Sequence, residues 1–266
     1  MKNKKLLVQI VAGAVGLCII GFLLSALNGI FGNPLSAALA RNKIRVYVAE
    51  NYAEENFQVP RATYNFKDQS YMTIIQSETS ADTRFSISVL RDGEIYDSYE
   101  FDVTEKFNTF RRLEDALDDA VEDLINAEFP YETRLILATM KDNSPDMFKS
   151  LSLDMPFDLY NLPLPVEVIV WTSAEQPDYE IAAQRMLELK ALMEANQVAV
   201  STYSLSLEYP YHEENGELRP DNFESISIND FPAELLINSP DLPAILEEHQ
   251  QAWEIEGNKE KQAEMD

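Results

Sequence analysis

From Leu6 to Phe31 the chain runs 26 residues without a charged side chain, and only Gln9, Ser25 and Asn28 among them are clearly polar. As a helix at ~1.5 Å per residue this stretch is ~39 Å long, more than the ~30 Å hydrocarbon core of a bilayer. Core helices of globular domains rarely run so long without a charge, so the segment is predicted to be a membrane helix. Met1-Lys2-Asn3-Lys4-Lys5 gives it a basic flank on one side, while Arg41, Lys43 and Arg45 lie ten or more residues beyond its other end. The nearer lysines have the stronger pull on orientation. This predicts a cytoplasmic N-terminus, one span, and residues after about 33 outside the membrane. A secretory h-region of ~7–15 residues is shorter than this run, yet Ala38-Leu39-Ala40 has the form of an A-x-A cleavage site, so cleavage after Ala40 stays open. The bulky Leu17 before Cys18 argues against a lipoprotein, which needs a small residue there.

The chain carries 21 Lys and Arg against 46 Asp and Glu, a formal charge of −25. After residue 40 the balance is 18 against 46, or −28. A phosphate backbone needs clustered cations, so nucleic acid is excluded as a partner. Two histidines exclude His-rich metal sites, and one cysteine excludes both an internal disulfide framework and thiolate zinc sites. Eight glycines leave little material for phosphate-cradling loops, and no cofactor is expected. The acidic excess reads as a solvated surface or, alternatively, as an attraction for cations or a basic partner.

The fold class predicted is α+β: a transmembrane helix, then two small units of antiparallel sheet packed with helices. Residues 1–33 form the basic start and anchor, 34–128 a first domain, 129–257 a second and 258–266 a polar tail. In the first domain, Asn33-Pro34 ends the anchor and Ile44, Tyr47, Val48 and Tyr52 form one face of a new helix. Strand-like runs follow at Arg61–Lys67, Tyr71–Ser77, Arg84–Arg91 and Glu94–Val103, with Asp92-Gly93 as a type I′ hairpin signal. A helix with Leu113, Leu117, Val121 and other apolar residues on one side, and Glu114, Asp118 and further carboxylates on the other, closes the first unit or opens the second. The second domain reads as a strand around Leu135–Thr139, a proline-rich surface excursion from Lys141 to Pro165, and a strand at Val166–Thr172. A helix opened by Pro177, strands at Val198–Tyr209 and Phe223–Ile228, and a last helix after Ser239-Pro240 complete it.

No G-x-S-x-G elbow, H-E-x-x-H, Walker loop or dinucleotide fingerprint occurs. His249 falls on the apolar face of the last helix and reads as a packing residue. His212 lies in Tyr209-Pro210-Tyr211-His212-Glu213-Glu214, at the tip of a hairpin whose turn is Asn215-Gly216. It is able to titrate near neutral pH, but no nucleophile is marked beside it. Tyr209, Tyr211 and His212 are therefore the candidate partner-binding residues, against the simpler reading of an ordinary turn with flanking aromatics. Catalytic and metal-binding residues are not expected.

Four stretches resemble the YfjL-like proteins of Gram-positive bacteria: Gly32-Asn33-Pro34, Tyr64-Asn65-Phe66-Lys67, Ser80-Ala81-Asp82-Thr83-Arg84-Phe85 and Asn108-Thr109-Phe110-Arg111-Arg112-Leu113. They cover about residues 30–115. The resemblance implies a small single-span protein with an exported two-part region, and it supplies no catalytic residues. A helix plus four-stranded meander behind an anchor is also similar to cystatin-like and PepSY-like envelope domains, which implies a binding or regulatory module by analogy of fold. The expected function is a non-enzymatic envelope module that engages another envelope protein. The alternatives are an acidic wall or glycan hydrolase with paired carboxylates, or a cation-responsive sensor.

Overall fold

The computed structural model describes residues 2–141, 147–214 and 217–263. The chain divides into two compact units, Met1–Thr109 and Phe110–Asp266.

In the first unit, helix α1 (Lys2–Phe31) covers the apolar run. Its described apolar side chains are exposed on every side, with Leu17, Phe22 and Phe31 each above 70% exposure. The break after it is set by Gly32 in the left-handed region (φ +64°) and by Asn33, whose Oδ1 accepts the Ser36 N–H at 2.7 Å and caps helix α2 (Pro34–Asn51). Pro34 occupies the first turn, where its missing N–H costs nothing. Helix α2 buries Ala37, Ala40, Ile44 and Val48.

Strands β1 (Thr63–Asn65), β2 (Ser70–Gln76), β3 (Arg84–Val89) and β4 (Ile95–Asp97) form an antiparallel meander in sequence order. Ile44 and Val48 of α2 pack with Ile75, Phe85, Ile87 and Val103. Tyr52, Phe57, Phe85 and Tyr99 extend this core as an aromatic cluster with ring centroids 4.8–5.9 Å apart. The Tyr52 hydroxyl donates to Asp97, and burial together with that carboxylate pushes its pKa far up.

Two expectations here are corrected. The β3–β4 turn is a three-residue loop, with Gly93 N–H donating to Leu90 O and Leu90 N–H to Glu94 O, and only Gly93 takes a positive φ. A type I′ turn would need two such residues. The strand expected to run to Val103 stops at Asp97. There the Ser98 hydroxyl accepts the Ser86 N–H at 2.9 Å, and Asp97 Oδ1 accepts the Tyr99 N–H at 2.8 Å. The Ser98 N–H still donates to Ser86 O at 3.1 Å, but side chains take up the neighbouring N–H groups, and the chain coils into a single π turn over Glu100–Thr104 that delivers Val103 to the core.

Helix α3 (Phe107–Glu128) spans the division between the units. Its apolar stripe of Leu113, Leu117, Val121 and Ile125 belongs to the core of the second unit. The unit division falls within the first turn of this helix, after Thr109, while the sequence reading placed its domain boundary at 128 and left the helix to either unit. Strands β5 (Thr133–Met140), β6 (Val166–Ser173), β7 (Thr202–Glu208) and β10 (Ser225–Pro232) form a sheet of order β10-β7-β6-β5. The sheet is mixed, because β6 and β7 run parallel. Helix α4 (Tyr179–Ala195), capped by Asp178, lies between them in sequence, and a strand–helix–strand crossover returns the chain in the same direction. Helix α5 (Leu242–Ala263) packs on β10 and α4.

The proline-rich excursion is more than surface. Residues 142–146 lie outside the described residues, but beyond them Leu151 and Leu164 are buried, and Phe148, Met155, Phe157 and Leu162 pack against the core.

The acidic side of α3 has a structural task that carboxylate counting does not reveal. β5 is an edge strand, and its outward N–H groups need partners. Asp118 Oδ1 accepts the Ala138 N–H at 2.7 Å, and Glu114 Oε1 accepts that of Met140 at 3.4 Å. Burial pushes the Glu114 carboxyl up, against the lowering effect of the Met140 N–H. Asp118→Ala should therefore destabilise the second unit by about 1–3 kcal/mol, the usual range for a charged hydrogen-bond acceptor lost from a backbone donor. Asp118→Asn, which keeps an acceptor, should lose less. Urea unfolding followed by tryptophan fluorescence reads both.

Candidate functional site

The hairpin singled out from sequence is formed by β8 (Tyr211–Glu214) and β9 (Glu217–Pro220), and its Asn215-Gly216 turn lies outside the described residues. Tyr211 is engaged within the fold. The Arg134 guanidinium lies 4.9 Å from its ring centroid and 4.5 Å from that of Trp171. The same guanidinium binds Glu208 through two hydrogen bonds of 2.9 and 2.7 Å. His212 Nδ1 sits 2.8 Å from Asp221 Oδ1 on the exposed surface, and Tyr209 is half-buried between β7 and β8. The structure gives Tyr211 a cation–π contact at the base of the hairpin and sets His212 within hydrogen-bond distance of Asp221. His249 packs edge-on against Phe231, with ring centroids 5.0 Å apart, and its Nε2 lies 2.8 Å from Asn229 O.

A second cluster lies where β5, β6, β7 and β10 meet. Lys141 Nζ is 2.6 Å from both Glu167 Oε2 and Asp230 Oδ1. Glu167, only 2% exposed, also accepts the Ser204 hydroxyl at 2.7 Å, and that hydroxyl accepts the Asp230 N–H at 2.9 Å. Asp230 takes a positive φ of 51° at a bulge in β10. Burial would raise the Asp230 pKa, but the Lys141 ammonium overrides it and holds the carboxyl below its usual range. Burial would likewise lower the Lys141 pKa, but the two carboxylates hold it raised. Two carboxyl groups thus share one lysine. Among the described residues, no group of three or more His, Cys, Asp or Glu side chains is placed to hold a metal ion.

Removing Lys141 would leave Glu167 buried without its counter-charge. Because the lysine is half exposed, Lys141→Met should cost up to about 3 kcal/mol, the lower end for breaking a buried pair. The pH dependence has a definite sign. A depressed Asp230 pKa stabilises the fold above the ordinary carboxylate range and loses that contribution as pH falls through the folded value. Lys141→Met should flatten the acid limb of the stability profile below about pH 4. Chemical denaturation at several pH values measures it.

The third site lies in the first unit, at the end of α1. A cleft of about 560 Å³ is bounded by the last turns of α1, the flank of α2, strands β1 and β2, and the β3–β4 turn. Tyr64 and Tyr71 form one wall, with ring centroids 5.0 Å apart. The Tyr64 hydroxyl donates to Gly29 O at 3.0 Å, and the Tyr71 hydroxyl accepts the Asn33 N–H at 2.8 Å. Asn33 Nδ2 donates to Asn28 Oδ1 at 2.7 Å and to Ser36 Oγ at 2.9 Å, tying the two helices together. Lys43 and Arg91 bring cations to the cleft, and Lys43 Nζ also donates to Gly93 O. No Asp or Glu is among its lining residues. Sequence reading missed this site because its walls come from four separate segments. The one local signal was that Ser25 and Asn28, two of three polar residues in the apolar run, sit near its end.

Gly32 is required at this junction. A Cβ there would fall 2.6 Å from Tyr64 Cγ and 2.7 Å from the Tyr71 hydroxyl oxygen. Gly32→Ala should lower the stability of the first unit by about 1–2 kcal/mol for the left-handed backbone alone, with the clash added. Gly32→Ala in a Tyr64→Ala background should cost less relative to Tyr64→Ala than Gly32→Ala costs alone, because the ring contact is gone while the contacts with the residue-64 Cβ and the Tyr71 hydroxyl remain. Thermal unfolding of the full chain in detergent reads the difference.

The stretches quoted above for their resemblance meet in pairs. Tyr64 packs on Gly32, while Asn108 Nδ2 donates to Asp82 O at 2.9 Å and the Thr109 hydroxyl to Asp82 Oδ2 at 2.7 Å. Residues 3–108 match the profile described as YfjL-like, N-terminal domain, and residues 116–247 match that described as YfjL-like C-terminal domain. No curated protein and no solved structure matches the chain.

Proposed function

The chain belongs to the YfjL-like proteins, with the family's two domains in order along it, and from that premise we propose that it is a single-pass, non-enzymatic module of the cell envelope. In this reading α1 is the uncleaved anchor, the N-terminus is cytoplasmic, and both domains face outward to engage another envelope protein. The observation that carries it is α1 itself: a helix of 30 residues whose described apolar side chains are exposed on all sides, so that the solvent suiting it is lipid. Lys2, Lys4 and Lys5 at its start support the orientation. Confinement to the membrane raises the effective concentration of the domains near other membrane proteins, so weak contacts suffice.

The distribution of charge supports a choice of partner surface. Residues 1–109 hold 11 basic and 12 acidic residues, whereas residues 110–266 hold 10 and 34. The second unit therefore carries a formal −24, and a partner presenting a basic face would be steered toward it. Membrane-impermeant crosslinking on intact cells, with the tagged chain purified and its adducts identified, tests this. The expected result is one reproducible envelope protein whose yield falls as salt is raised through the screening range. Labelling of Lys67 and Lys141 without any adduct would remove the binding role, and absence of labelling on both would reverse the orientation.

A further inference from the structure

We propose that the cleft beside the end of α1 binds the phosphate headgroup of an anionic membrane phospholipid. The inference rests on the reading of α1 as a membrane anchor and adds a ligand to it. Three independent features converge. The first is height: the cleft opens at the last two turns of α1, where a spanning helix leaves the hydrocarbon and reaches the headgroup layer. The second is charge. Lys43 from α2 and Arg91 from the β3–β4 turn both line the cleft, and no carboxylate does, in a chain with 46 acidic residues. Such a local excess of cations over acids suits a phosphate diester, with Arg91 offering a planar fork and Lys43 a point charge. The third is the polarity of α1. Ser25 and Asn28 are the only clearly polar residues in the second half of the apolar run, and both line the cleft. A polar side chain on a lipid-facing helix is costly unless something polar lies against it; Asn33 Nδ2 already meets Asn28 Oδ1, which leaves the Asn28 amide NH2 and the Ser25 hydroxyl for the headgroup.

The surroundings fit a lipid with its chains still in the bilayer. Phe22, Leu27 and Phe31 are exposed on α1 and offer an apolar surface to the acyl chains. Leu35 and Leu39 on α2, also exposed, continue that surface past the break, and Leu39 itself lines the cleft. Tyr64 and Tyr71 supply amphipathic rings at the level where aromatic residues favour the interface. Gly32 lets both rings approach the backbone, so the cleft is held by the same contact that sets the turn between the helices.

The test uses the full-length chain. Flotation with phosphatidylcholine vesicles first asks whether the protein inserts at all; failure to float would remove the anchor reading and this inference with it. For the inserted protein, native mass spectrometry from detergent counts retained lipid during titration with short-chain phosphatidylglycerol, short-chain diacylglycerol or inorganic phosphate. The expected result is one phosphatidylglycerol per chain. Diacylglycerol and free phosphate should each bind at least about tenfold more weakly, since each lacks half of the contacts. Lys43→Gln with Arg91→Gln should weaken phosphatidylglycerol binding by about tenfold or more, while Lys43→Arg with Arg91→Lys retains it. Asn28→Leu, on α1, should also weaken it and leaves both cations in place. An inserted protein that binds phosphatidylglycerol and diacylglycerol equally, or whose binding is unchanged in the glutamine and leucine variants, would overturn the inference and leave the anchor reading standing. Binding of free phosphate as tight as that of the lipid would mean a soluble anion site and would overturn it equally.

Discussion

An apolar helix with little protein surface to cover it dictates much of the first unit. Among the described residues the protein covers little of α1 before its last turns, and the helix is long and apolar enough to span a membrane; in the proposed reading the chain leaves the bilayer at a fixed point. Gly32 and Asn33 perform that exit. One supplies the left-handed backbone and the space for two tyrosine rings; the other caps the next helix and bonds back to Asn28. The aromatic core under α2 is then built from residues that follow this turn. Helix α1, the turn and the sheet are therefore connected by specific contacts at Tyr64 and Tyr71.

The second unit solves a different problem. Its sheet has an exposed edge at β5, and a carboxylate-rich helix covers it by accepting edge N–H groups. At the end of the same strand, a buried glutamate is balanced by a lysine shared with Asp230. Both arrangements use acidic residues as structural acceptors. The net charge of this unit is thus a sum of two populations, some carboxylates committed to the fold and others available to solvent or to a basic partner.

Much of this was legible in the sequence and some was not. The long helix, its break at Asn33-Pro34, the amphipathic second helix and the meander follow from local periodicity and turn chemistry, which act between near neighbours. The end of β4 was misjudged because the run after the Asp92-Gly93 turn was read as one returning strand to Val103; the competing side-chain bonds of Asp97 and Ser98 leave no mark on that reading. The parallel pairing of β6 and β7 was available from the order strand, helix, strand, a crossover that returns parallel strands. The roles of Glu114 and Asp118 were invisible because their partners lie 20 or more residues away on another element. For the same reason Tyr211 looked available for recognition, while in the fold Arg134 stacks on it. The cleft at the end of α1 was the least legible feature, since it exists only after four segments have come together.

The most direct measurement is alkaline carbonate extraction of native membranes containing the full chain, with the intact mass of the protein recorded in each fraction. The expected result is a protein that stays with the membrane pellet at its uncleaved mass. Release into the supernatant, or a mass showing that the chain had been cut after Ala40, would contradict an anchor that remains attached to the domains it carries.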